Sequence, residues 1–118
     1  MSVTIEGKFN PLRLKIDRRQ SVQFAAHIRN TGSDEKKLTV KVILSPMLAF
    51  TKGGFKDTEL KRVDSIKPGE EKTLYFELFP KFGITAGEEV VKVRVQEHLA
   101  NYEYTKNQHD VDFWLTVE

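Results

Sequence analysis

The stretch that decides the fold is Ser21–Gly32, SVQFAAHIRNTG. Val22, Phe24, Ala26 and Ile28 alternate with Gln23, Ala25, His27 and Arg29, and the run ends in Asn30-Thr31-Gly32. A period of two places one set of side chains on a buried face and the other in water. A strand is therefore predicted here, closed by residues that favour turns.

The same period recurs along the chain. Leu38, Val40, Val42 and Leu44 form one apolar set, and Leu74, Phe76 and Leu78 another. Val91, Val93 and Val95 follow, and Val111, Phe113, Leu115 and Val117 close the series. Leu12, Leu14 and Ile16 alternate with Arg13, Lys15 and Asp17 and predict an early strand. Thr58–Ser65 reads as a weaker strand and Val3–Ile5 as a short one. No segment keeps an i, i+3, i+4, i+7 pattern over three turns, so no substantial helix is expected.

The breaks fall where strands must turn. Lys67-Pro68-Gly69-Glu70 suits a type II turn, with Pro presetting φ and Gly taking a positive φ. Gly53-Gly54 lies in a long connection after Pro46, and Phe82-Gly83 in another. Leu99–Gln108 reads as a ten-residue loop. Six strong strands and one or two weak ones indicate an all-β, immunoglobulin-like antiparallel β-sandwich of about seven to eight strands. With 118 residues and no linker or low-complexity tract, residues 1–118 are expected to form one domain.

Composition narrows the chemistry. Leu, Ile, Val and Phe supply 35 of the 118 residues, enough for one core. The 19 basic and 17 acidic residues leave a formal charge of +2, which argues against a strongly electrostatic nucleic-acid binder. The absence of cysteine excludes disulfides, thiolate metal sites and thiol catalysis. No apolar run approaches the roughly 20 residues of a membrane-spanning helix, so no membrane insertion is expected. Lys and Glu (13 and 11) outnumber Gln and Asn (four each), a lean toward a heat-adapted source. With Met1 as the natural start the chain reads as cytoplasmic; as a fragment of a longer protein it reads as cell-surface.

Two runs carry a resemblance. Ser21–Gly32, an alternating strand ending in Asn-Thr-Gly, resembles the second strand of archaeal and bacterial CARDB-type (cell-adhesion-related) domains. Ile66–Leu74, IKPGEEKTL, resembles their Pro-Gly-Glu turn into the fifth strand. Together the runs fit that family over most of the chain, although Asp17-Arg18-Arg19-Gln20 stands where those domains usually carry Pro-Gly-Glu. The resemblance implies a non-catalytic sandwich of cell-surface or multidomain proteins, with adhesion or carbohydrate binding as variants.

Candidate chemistry is thin. There is no Gly-x-Ser-x-Gly and no phosphate-binding glycine loop. His98 and His109 bracket the last hairpin loop, and Glu97 or Asp110 could join them at a metal. Strict alternation, counted from Val95 and from Val111, puts His98 outward and His109 inward, on opposite faces. A small metal-binding protein or enzyme using these histidines is the alternative reading. Asp110 and Asp112 share one face about 7 Å apart, but on an open strand rather than in a cleft. His27 is expected on the polar face of its strand. Basic residues gather at Arg13, Lys15, Arg18 and Arg19, at Lys36 and Lys37, and at Lys41, Lys92 and Arg94 beside Trp114. That is the minimum for weak single-stranded nucleic-acid binding, with acidic residues interleaved throughout.

The aromatic residues are more informative. Most of the eight Phe fall on inward positions, whereas Trp114 falls outward between Asp112 and Thr116. Tyr102 and Tyr104 lie in the Leu99–Gln108 loop. The reading is a non-catalytic protein-interaction or accessory module without cofactor. It binds a protein partner or a second copy through Tyr102, Tyr104 and Trp114.

Overall fold

The computed structural model describes residues 3–18, 20–54, 56–98 and 105–118. Two β-sheets lie face to face. The strands are β1 (Val3–Asn10), β2 (Arg13–Leu14), β3 (Val22–Asn30), β4 (Lys36–Leu44), β5 (Leu48–Ala49), β6 (Thr58–Ile66), β7 (Glu71–Pro80), β8 (Gly87–His98) and β9 (Thr105–Val117). One sheet has the order β1-β3-β7-β5 and the other β2-β9-β8-β4-β6. All pairings are antiparallel except the two-residue β2–β9 bridge. The only helical element among the described residues is a 3₁₀ turn, Ile16–Arg18.

The period-two sets become the core. Val22, Phe24, Ala26 and Ile28 of β3 face Leu38, Val40 and Val42 of β4 and Val91, Val93 and Val95 of β8 across the sandwich, all buried. An aromatic cluster ties the sheets together. The Phe24 ring lies 5.1 Å from Phe9, 6.3 Å from Phe76 and 5.6 Å from Phe113, centroid to centroid. Phe113 has room because Gly7 stands opposite. A Cβ at Gly7 would sit 2.6 Å from the Phe113 ring.

The two turn motifs meet at one end. Gly69 has φ +79°, and the Glu70 N–H donates to the Lys67 carbonyl (2.9 Å), as the predicted type II turn requires. Asn30 is fully buried beside it. Its side-chain amide donates to the carbonyls of Asp34 (2.8 Å) and Ile66 (2.9 Å), and its side-chain oxygen accepts from the Gly32 N–H (2.9 Å).

Three expectations need correction. The strand at Leu12–Ile16 is a two-residue bridge followed by the 3₁₀ turn. Only Leu14 is buried, because Pro11 breaks the strand and the segment pairs with the chain's last residues. The Leu14 carbonyl accepts from the Glu118 N–H (2.8 Å), and the Ile16 N–H donates to the Glu118 carbonyl (2.9 Å). The true first strand is β1, eight residues rather than three. The ten-residue loop is overturned at Thr105–Gln108, which belong to β9, while its residues 99–104 lie outside the described residues. Thr105–Gln108 are all exposed, so no apolar alternation marks them. Backbone pairing with β8 holds them instead.

Candidate functional site

The outer face of the five-stranded sheet is built from positions that alternation sends away from the core. Cross-strand register sorts it into rows. Trp114 of β9 stands opposite Val90 of β8. Asp112 stands opposite Lys92, which pairs with Ile43 of β4. Asp110 stands opposite Arg94, which pairs with Lys41 of β4 and, through it, Leu60 of β6. Gln108, Gln96, Thr39 and Arg62 complete the next row. Trp114 is 57% exposed near the end of β9. Leu60 is another exposed large apolar residue on this face among the described residues.

One pair of charges here is tied down. Arg94 donates to Asp110 through two bonds, Nε to Oδ1 at 3.0 Å and Nη2 to Oδ2 at 3.2 Å. That hydrogen bond, chiefly, holds the Asp110 carboxyl below its ordinary value. Slight burial opposes it, and the positive charges of Arg94, Lys92 and His109 assist it. Gln96 donates to Gln108 (2.9 Å) in the next row. Lys41, Lys92 and Arg94 do share this face with Trp114, as the sequence predicts. Arg94, however, is committed to Asp110.

The edge of this sheet is open. β2 covers only Thr116 and Val117 of β9, so Thr105–Leu115 pairs on one side alone among the described residues. Trp114 thus lies on an edge strand.

The histidines do not come together. His98 pairs with Thr105 and His109 with Val95, across a bulge that leaves Lys106 without an opposite residue. His109 is exposed. His98, expected in solvent, is buried, with its Nε2 hydrogen-bonded to Thr39 Oγ1 (2.6 Å). Among the described residues no three His, Asp or Glu side chains are grouped as metal ligands. His27 does face outward, hydrogen-bonded to Thr73 (2.8 Å).

One polar feature escaped the sequence reading. Glu97 is buried and forms a 2.7 Å ion pair with Lys36, itself largely buried, while Asn107 donates to its other oxygen (2.8 Å). Lys36 therefore closes the end of the core and adds little to a basic surface. The signal was present: alternation from Val95 puts Glu97 inward, and alternation from Leu38 puts Lys36 inward. Two opposite charges on one buried face require each other.

Tyr102 and Tyr104 lie outside the described residues. At the end of the sandwich remote from Asn30, the aromatic loops behave differently from one another. Phe50 packs on Phe76 (5.9 Å), Phe82 stands in solvent, and Phe55 lies outside the described residues. A groove of 530 Å³ opens beside Phe82, bounded by Ile16, Lys52, Phe79, Lys81 and Ile84.

No protein-family model matches the sequence, and no curated protein matches it. Solved structures do match its fold. Native alpha-2-macroglobulin from Escherichia coli, in a structure from domain MG7 to the C-terminus, aligns at a TM-score of 0.72 with 18% identity. The alignment covers 98% of this chain and 16% of that one, so this chain spans about a sixth of that structure. The CARDB domain of a Pyrococcus furiosus protein, in complex with di-metal ions, aligns at 0.65 with 20% identity over 98% and 87% of the two chains. MyfA, the major subunit of Myf fimbriae from Yersinia enterocolitica, in complex with galactose, aligns at 0.51 with 17% identity over 98% of each chain. The CARDB resemblance seen in the sequence thus holds at the level of the fold. No helix among the described residues is long and apolar enough to cross a membrane.

Proposed function

We propose that residues 1–118 form one non-catalytic domain that binds a protein partner over the outer face of the five-stranded sheet, with Trp114 as its anchor. The observation that carries this is Trp114 itself, a large ring left 57% exposed on an ordered edge strand. Tryptophan is enriched among residues that dominate binding energy, and exposed apolar rings gain most from being covered. Val90 beside it extends the apolar area. The rows Asp112–Lys92 and Asp110–Arg94 supply a polar border. Tyr102 and Tyr104 belong by sequence to the segment joining β8 to β9, at the end of β9 away from Trp114, and are proposed as a separate partner contact. The neighbours in macroglobulin, CARDB and fimbrial proteins support an interaction module over an enzyme.

The test replaces Tyr102, Tyr104 and Trp114 singly by Ala. Sedimentation reads self-association, and affinity capture followed by identification and re-titration of the captured protein reads partner binding. Trp114→Ala should weaken binding at least tenfold, about 1.4 kcal/mol, and leave the unfolding transition within about 0.5 kcal/mol. Full binding by all three folded variants would place the site elsewhere.

A second reading is favoured by the flanking polar pair. Trp114 lies next to Asp112 and near Lys92, a ring bordered by hydrogen-bonding groups that could stack on a sugar. Trp114 is the chain's one tryptophan, so its fluorescence reports this face directly. Quenching or a blue shift on titration with galactose supports the sugar reading, and an unchanged spectrum removes it.

A further inference from the structure

We propose a second binding site, at the end of the sandwich opposite Asn30, for a small anionic amphiphile: a carboxylate carried on an apolar chain or ring. The groove there has a volume of 530 Å³, within the range of small-molecule sites. Its walls come from three separate parts of the chain. Ile16 stands on the 3₁₀ turn, Phe79 near the end of β7, and Lys52 in the connection between β5 and β6.

The Lys81–Ile84 turn shapes the rim. The Ile84 N–H donates to the Lys81 carbonyl (3.2 Å), and Gly83 takes φ +88°, the left-handed value a type II turn needs at its third position. This turn sends Ile84 back into the core and holds Phe82 out, 94% exposed. A phenylalanine presented to water by an ordered turn gains nothing in the free protein. It becomes favourable when an apolar group enters the groove beneath it.

Charge specifies the other half of the ligand. The ion pairs among the described residues involve neither Lys52 nor Lys81. Two uncompensated ammonium groups beside an apolar groove fit an anionic head on an apolar body. The concave shape and the volume favour a small molecule over a flat protein or membrane contact.

The probes are decanoate, octanoate and decanol, titrated below micelle formation and followed by calorimetry and amide chemical shifts. Decanoate should bind one saturable site and shift Gly83 and Ile84. Decanol should bind about tenfold more weakly, the worth of two exposed charge contacts. Octanoate, two methylenes shorter, should lose about fifteenfold. Lys52→Gln with Lys81→Gln should bring decanoate down to the level of decanol, and Phe82→Ala should weaken both. Trp114→Ala should bind decanoate as the parent does, which keeps this site separate from the partner surface. The proposal is overturned if decanoate does not saturate, if decanol binds equally well, or if Phe82→Ala changes nothing. Capture on phosphatidylglycerol vesicles without decanoate binding would also overturn it, by making this end a membrane contact.

Discussion

The Gly69 N–H donates a 2.7 Å hydrogen bond to the Asn30 carbonyl. The turn after β3 is thereby joined to the turn between β6 and β7, and the β3–β7 ladder is carried past its Arg29–Glu71 pair. The Asn30 N–H completes the exchange by donating to the Glu70 carbonyl (3.1 Å). The two motifs that mark the chain in sequence are thus halves of one polar closure.

That closure predicts the first outcome. Asn30→Ala removes the donor to the buried Ile66 carbonyl and should cost about 2–3 kcal/mol in urea unfolding. Asn30→Asp should cost more at neutral pH, since a carboxylate cannot donate and would be buried as a charge. Losses under about 1 kcal/mol for both would show that water replaces the side chain without penalty.

The second prediction tests the register of β3. Phe24, within the four-ring cluster, should cost about 3–5 kcal/mol when changed to Ala. His27, three residues on and facing outward, should cost less than about 1 kcal/mol. Equal losses would mean the strand is paired one residue out of place.

The third concerns Gly7. Gly7→Ala drives a methyl into the Phe113 ring and should destabilise by about 1–3 kcal/mol. Phe113→Leu in the same chain should recover part of that loss, a coupling of about 1 kcal/mol in a double-mutant cycle. Strict additivity would mean the ring swings clear.

Much of this was readable in the sequence, and the gaps have physical causes. β3, β4, β7, β8 and the second half of β9 carry an apolar residue at every other position because one face of each is buried. β1 hid because its third inward position is Gly7, whose missing side chain is filled by a ring from β9. Leu12, Leu14 and Ile16 imitated a strand, but alternation says nothing of whether a neighbour is present to pair. Thr105–Asp110 projects past the core, so pairing alone makes it a strand. Trp114 was legible because it breaks the pattern of its own strand. The groove at Phe82 was not, since Ile16, Lys52 and Ile84 meet only in three dimensions.

The fourth prediction follows from Asp110. Its carboxyl is held below the ordinary value of about 3.9 by the Arg94 hydrogen bond. A depressed folded value means stability present above the unfolded pKa and lost as pH falls through the folded one. The stability difference between the parent and Asp110→Asn should be constant near neutrality and shrink as pH drops below about 4. In Arg94→Leu the carboxyl resonance of Asp110 should titrate at higher pH than in the parent. A titration unmoved by that change would assign the shift to something other than Arg94.

The open side of β9 gives the molecule an uneven clock. Along Thr105–Leu115, successive amides point alternately toward β8 and toward solvent. In deuterium oxide the solvent-facing set should exchange at nearly free-peptide rates and the other set far more slowly. β8, flanked by β4 and β9, should show protection at both sets. Where β9 runs past the core, from Thr105 to Asp110, no buried side chain resists separation. That stretch should unzip from β8 at a lower free energy than global unfolding while the sandwich stays intact.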